Sequence, residues 1–432
     1  MLATTLAAAL SLGLTTPPHH APDTDRPNIV ESLSALSDRG ESASGDIVAT
    51  LGALSDAGDA SRAKPRGRYA GFSQAELDNA LRDAAKAGSS GTISRLIDAG
   101  ANANQGGHYY TPLYLASKYG HTASVSVLLD AGANPDTKSP NGLAPLHAAA
   151  KFGNKNAANL LISAHADVDV RTSIGNTPLH IAARYGSGDI ARMLVNAHAK
   201  VNLRNHDHLT ALTRAAKFGS PEVARQLIAG GADVDAAAPH GNTPLHTAAR
   251  FGSPKVAEAL IKAHAKLEAR NGGHLTPLMR AAKYGNPRVA RLLIGGGADV
   301  RATSREGNTP LHTAARFGSP TVAEYLIEAH ADVNAVNKSQ NTPLIRAARY
   351  GERQIAEALL DAGASKTISN GRHETALSIA ARYHNSDIVE ILLSPTPRPS
   401  ADHKGRVEAE PQGTLVRFAD GRSIRVDLSA GR

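Results

Sequence analysis

Small and apolar residues return along the middle of the chain in a fixed phrase. In its clearest form Pro244 and Leu245 are followed by Ala248 and Ala249, then Gly252, then Val256, Ala257, Leu260 and Ile261. Spacings of three and four residues predict two short amphipathic helices, one on each side of Gly252. Thr243 caps the first helix, and Pro244 in its first turn needs no amide hydrogen there. Gly252 stops that helix, and Ser253-Pro254 starts the second by the same cap chemistry. The paired alanines let neighbouring helices approach closely. Leu267 to Leu275 has no helical period and reads as an extended finger leading to the next unit.

The phrase recurs every 33 residues without insertion. Thr111, Ala144, Thr177, Thr210, Thr243, Thr276, Thr309, Thr342 and Thr375 hold the same place, and a degenerate copy around Asn79-Ala80-Leu81, with Ala84-Ala85 and Gly88, makes ten. A second period of 66 residues is superimposed. Copies at 177, 243 and 309 carry His180, His246 and His312 at the fourth position, whereas those at 210, 276 and 342 carry Thr213, Met279 and Ile345, each followed by an arginine (Arg214, Arg280, Arg346). This alternation records duplication of a pair of units.

The period and the motif Thr-Pro-Leu-His-x-Ala, intact at Thr177, Thr243 and Thr309, resemble those of ankyrin repeats. The resemblance implies an all-α repeat solenoid of helix-turn-helix units with β-turn fingers, each unit touching only its neighbours, and a concave surface lined by fingers and first helices. Helical layers about 8 to 10 Å apart give ten such units a length on the order of 90 Å. It also implies a protein partner. The end copies depart as caps do: the first lacks Thr-Pro, and the last has Ala376 for Pro and His384 for Gly.

Nineteen histidines raise the question of a metal. Eight fall at two fixed phases. His147, His180, His246 and His312 stand where the family bridges backbone groups between fingers. His165, His198, His264 and His330 stand where a left-handed Gly is usual, a conformation His tolerates better than most residues. His206-Asp207-His208 is the remaining metal candidate, opposed by the nearby charges of Lys200 and Arg204. Gly295-Gly296-Gly297 follows a helix and reads as a stop, not as a phosphate loop. With no Cys, thiolate chemistry, disulfides and Cys-ligated zinc are excluded. No Walker motif, no Gly-x-Ser-x-Gly, no His-Glu-x-x-His and no kinase signature occurs. The reading is a chain without catalytic residues, cofactor or metal.

Charge adds one positive feature. The chain's net charge of +8 comes from its middle: residues 78–394 hold 34 basic against 25 acidic groups, net +9. Within them a basic residue closes the first helix of all ten units, and an aromatic follows in nine, from Tyr119 to Tyr383. The resemblance places both columns on the concave side. The candidate contact residues are Lys151, Arg184, Tyr185, Arg214, Lys217, Phe218, Arg250 and Phe251, continuing with Arg280, Lys283, Tyr284, Arg316, Phe317, Arg346, Arg349 and Tyr350. Cations there attract an acidic partner while rings supply rigid contact area. Helix ends also carry such residues simply as a solvated terminus favoured by the dipole. A polyanion or single-stranded nucleic acid is the alternative partner, through phosphate contacts and base stacking. The solenoid is expected to be a monomer.

The flanks complete the division. Residues 1–77 hold an apolar, uncharged opening (residues 1–16) that partly resembles a secretory signal, two pieces over 28–58 with the period of short helices, and the basic stretch Arg62 to Arg68. Residues 78–394 form the array and 395–413 a linker. Residues 414–428, with Val416, Phe418, Ile424 and Val426 alternating with polar residues around Asp420-Gly421, predict a small C-terminal β-hairpin. No run of about 18 apolar residues predicts a membrane span.

Overall fold

A computed structural model describes residues 69, 71–106 and 110–394, and the backbone of 414–417 and 423–426. By contacts the chain divides into Met1–Ala70 and Gly71–Arg432. The signal-like opening, the two short predicted helices, the basic stretch and the loop of the C-terminal hairpin lie outside the described residues.

Twenty α-helices among the described residues form ten pairs, α1 to α20. The first helices of the pairs are α1 (Gln74–Ala87), α3 (Pro112–Tyr119), α5 (Pro145–Phe152), α7 (Pro178–Tyr185), α9 (Ala211–Phe218), α11 (Pro244–Phe251), α13 (Pro277–Tyr284), α15 (Pro310–Phe317), α17 (Pro343–Tyr350) and α19 (Ala376–Arg382). The second helices are α2 (Ser90–Asp98), α4 (Thr122–Asp130), α6 (Lys155–Ser163), α8 (Gly188–Asn196), α10 (Pro221–Ala229), α12 (Pro254–Lys262), α14 (Pro287–Gly295), α16 (Pro320–Glu328), α18 (Arg353–Asp361) and α20 (Ser386–Leu393). First helices pack on first helices and second on second, so two helical layers run along the array, joined within each pair. The core is their seam. Leu245, Ala248, Ala249, Val256, Ala257 and Leu260 are fully buried, and the same positions are buried in the other units from Thr111 to Thr342. Alanine at two successive positions brings the first-helix layer close without leaving a gap.

The first-helix ends form as the sequence dictates. Thr243 is extended (φ −78°, ψ 168°) and its Oγ1 accepts from the His246 amide, while Pro244 occupies the first turn. Gly252 closes the helix at φ +66°, a conformation that strains most side chains, and a β-carbon there would stand 2.6 Å from Asn286 Oδ1. The array begins a turn earlier than its apolar pattern suggests. Ser73 and Glu76 make a reciprocal capping box that starts α1 at Gln74.

The second helices are not capped as predicted. Ser253 makes no side-chain bond to its own helix; its Oγ donates instead to the Ala216 carbonyl of the preceding unit at 2.7 Å. Ser187, Ser220 and Ser319 do the same to Ala150, Ala183 and Ala282. Asn154, Asn286 and Asn385 reach two carbonyls each, those of Ser117 and Lys118, Ala249 and Arg250, and Ala348 and Arg349. The last carbonyls of a helix lack partners within it, and a hydroxyl or amide from the next unit satisfies them. The residue type has the same preference as a cap but serves the junction between units.

From Ser139 onward each finger ends in a tight turn. In one, the His274 amide donates to the Asn271 carbonyl at 2.7 Å with His274 at φ +55°, and Gly272 donates to the His240 carbonyl of the preceding finger at 2.6 Å. Amides of His206, Lys338 and Gly371 make the same step between fingers. Near the C-terminus Thr414–Arg417 and Ser423–Val426 pair antiparallel, Thr414 opposite Val426. No helix among the described residues is long and apolar enough to cross a membrane.

Candidate cation and aromatic face

The histidines settle into backbone roles. His246 Nδ1 lies 2.9 Å from Thr243 Oγ1 and accepts from the Thr243 amide, and Nε2 sits 2.8 Å from the Leu275 carbonyl one finger away. An accepting Nδ1 leaves the proton on Nε2, which donates to that carbonyl. His180 and His312 repeat the arrangement toward Leu209 and Asn341, and His147 toward Asn176. Burial pushes all four imidazoles down to about 4, against the pull of the carbonyl bond. They are neutral at pH 7. His165, His198, His264 and His330 have φ between 58° and 62°, the left-handed stop expected of them. His208, His274 and His373 share that conformation at fingertips. Among the described residues no group of three His, Asp or Glu could hold a metal ion, so His206-Asp207-His208 does not assemble one.

The basic and aromatic columns interlock. Lys151 stands over Phe152 of its own helix at 5.2 Å and over Tyr185 of the next at 5.6 Å. Arg184 continues to Tyr185 and Phe218, Lys217 to Phe218 and Phe251, and Arg250 to Phe251 and Tyr284. Lys283, Arg316 and Arg349 carry the series through Phe317 and Tyr350 to Tyr383. With Lys118 over Tyr119 and Phe152 at the other end, cation and ring alternate without a break across nine units. Each contact lies within the roughly 6 Å over which a ring quadrupole attracts a cation. The rings nonetheless stay 39% to 45% exposed, from Tyr284 to Phe152 and Tyr185. Half-exposed large rings in a continuous line leave apolar area available for contact.

Arg214, Arg280 and Arg346 take a different place from their neighbours in the column. Arg214 is 6% and Arg280 9% exposed. Their guanidinium groups lie 5.5 Å and 5.1 Å from the Phe218 and Tyr284 rings, one helical turn on. Arg214 and Arg346 donate to the side-chain oxygens of Asn176 and Asn308. Burial holds all three below the usual arginine range, and each Nε is buried without a hydrogen-bond partner. Arg214 and Arg280 brace the ring column from within, whereas Arg346 is only partly buried and also lines the last junction; the rest of the accessible charge belongs to the lysines and arginines at the helix ends.

The family described as Ankyrin repeats (3 copies) matches residues 67–139, 125–205, 197–271, 264–337 and 330–403. The chain belongs to the ankyrin repeat family. A search of curated protein sequences finds no match. Among solved structures, the crystal structure of the ankyrin repeat domain of Bcl-3, "a unique member of the IkappaB protein family", is similar, with 31% identity over 50% of this chain and 99% of that chain and a TM-score of 0.45.

Two features of this ankyrin array were not read from the sequence. One is the interlocking of the columns, which adjacency of Lys or Arg and an aromatic at every repeat could have signalled. The other is an asparagine ladder in the fingers, where Asn205, Asn271, Asn337 and Asn370 donate to the side chains of Asn176, Asn242, Asn308 and Asn341. It beads the finger bases together and holds the face that carries the rings.

Proposed function

We propose that the chain is a non-enzymatic scaffold that binds an acidic protein partner through the exposed cations and rings of its first-helix ends. Ankyrin repeats are protein-interaction modules, typically without catalysis. The observation that carries the finer reading is the unbroken alternation of cations and half-exposed rings from Lys118 to Tyr383. Rigid aromatic area flanked by arginine is the composition of binding hot spots. A cation already over a ring still has donors at its edge for a carboxylate. The contact residues are Lys151, Arg184, Tyr185, Lys217, Phe218, Arg250, Phe251, Lys283, Tyr284, Arg316, Phe317, Arg349 and Tyr350, with Arg214, Arg280 and Arg346 as supports. Acidic finger and second-helix residues, Asp233, Asp235 and Glu258 among them, argue against a nucleic-acid strand as the occupant. The test is affinity capture from native extract with the full chain, with and without nuclease and across a salt series. The expected result is a nuclease-resistant protein whose capture weakens with salt. Capture abolished by nuclease assigns the face to a polyanion instead.

A further inference from the structure

The array has one junction unlike the others. Between the units at Thr342 and Thr375, α17, α19 and the two neighbouring finger turns enclose a cavity of about 370 Å³. Its charged lining is four arginines, Arg346, Arg349, Arg372 and Arg382, against one glutamate, Glu374. Arg382 pairs with Glu374. Asn370 also bonds Glu374, and the Arg372 amide donates to Asn370, so the finger wall is fixed. Arg346 and Arg349 have no carboxylate partner among the described residues, and Arg372 has only the field of Glu374, which Arg382 already engages directly. Ile345 and Ile379 form an apolar floor, both nearly fully buried, at 2% and 4% exposure.

The sequence explains why this junction differs. Where other units from Ala144 onward place a bridging histidine in at least one of two adjacent copies, here the positions hold Ile345 and Ser378. The finger position of Arg372 holds Asn141, Ile174, Asp207, His240, Gly273, Glu306 and Ser339 in the preceding units. Arginine stands at this finger position in this copy and in none of those preceding ones, over a space that no histidine fills. Three guanidinium groups facing one half-enclosed space repel each other unless an anion joins them. A single carboxylate balances one of them. A phosphomonoester dianion offers three oxygens to three forks, and guanidinium matches that geometry in bidentate fashion.

We propose that this cavity is a phosphoryl-binding site that takes a phosphorylated side chain of a peptide lying along the cation and ring column. The space exceeds that of a lone phosphate, and it opens beside Tyr383, the last ring of the column, where flanking peptide residues would rest. The inference rests on the reading of a protein partner on this face, but Arg372 is exposed and outside the column, so the two are separable.

The experiment uses the full chain and isothermal titration with four probes: a blocked glycine-alanine heptapeptide carrying one central phosphoserine, its serine form, its glutamate form, and inorganic phosphate. The phosphopeptide is expected to bind about tenfold or more tightly than each of the other three, and Arg372→Gln to remove about tenfold of that affinity. Binding should also weaken below pH about 6, where phosphoserine loses its second charge. An unchanged affinity in Arg372→Gln overturns the site, and equal binding of the glutamate peptide overturns its preference for phosphate. Equal binding of inorganic phosphate overturns the peptide as source. Because Arg372 packs in no core, thermal unfolding of the variant should match the parent. Phosphopeptide binding that fails while protein capture persists defeats this inference alone.

Discussion

At the scale of single residues, the family motif and the physics agree most closely at histidine. His246 joins its own helix start to the next finger, so His246→Ala strands the Leu275 carbonyl and the Thr243 cap, at a cost of about 1 to 3 kcal/mol. Urea unfolding measures that cost, and metal content should not change; bound zinc lost in the variant would contradict the backbone role. These imidazoles also set an acid limit. Their folded value of about 4 lies below the ordinary 6.5, so the unfolded chain binds protons first. The stability they confer is complete above pH about 6.5 and is lost as pH falls toward 4. Glu352 runs the other way. It occupies the place of Ser253 or Asn385, its carboxylate lies against Gly318, and burial raises its pKa. A carboxylate here supplies no donor to the preceding helix end, and a raised folded pKa favours the fold at acid pH and disfavours it as pH rises through that value. Glu352→Asn should therefore stabilise by about 0.5 to 1.5 kcal/mol at pH 7, with the gain shrinking toward pH 4. A variant less stable than the parent at pH 7 would refute this account of the junction.

At the scale of elements, helix starts and stops were legible because they are local. Thr, Pro and Gly act within three or four residues, and at Thr243 and Gly252 they act as the pattern predicts. What was not legible is which carbonyl a side chain reaches when two are near. Ser253 has the chemistry of a cap, yet its backbone (φ −103°, ψ 75°) turns Oγ away from its own helix and toward Ala216. A contact 37 residues away leaves no local signature. Ser253→Ala should cost about 1 kcal/mol through that orphaned carbonyl, while amide exchange in the first turn of α12 stays as in the parent. Selective fraying of that turn would return Ser253 to the role of a cap. The capping box of Ser73 and Glu76 was legible in principle, since both residues are local; the apolar pattern of α1 begins later and drew the boundary with it.

At the scale of the whole molecule, the 33-residue period was enough to give the fold, because each unit needs only its neighbours. The columns were visible too, but their meaning depended on side-chain direction. Sequence spacing put Arg214, Arg280 and Arg346 on the same face as Lys217, Lys283 and Arg349. Depth separates them: Arg214 and Arg280 are buried against rings and Arg346 is partly buried, while the second set lies among rings that face solvent. Spacing along one helix reports a face and not a depth, since depth depends on the neighbouring unit. The same neighbour dependence creates the interlock, where Lys217 serves Phe218 and Phe251 at once. An exposed alternation of charge and ring along nine units is the feature on which the functional reading rests. Its most direct test is capture of partner by the full chain beside the variant Lys217→Glu, Lys283→Glu, Arg349→Glu, which leaves Arg214, Arg280 and Arg346 in place. Loss of nuclease-resistant capture, with the unfolding free energy in urea changed by only about 1 to 3 kcal/mol for the broken ring contacts, is the predicted result. Capture undiminished by the reversal would contradict the account and move the binding surface to the fingers.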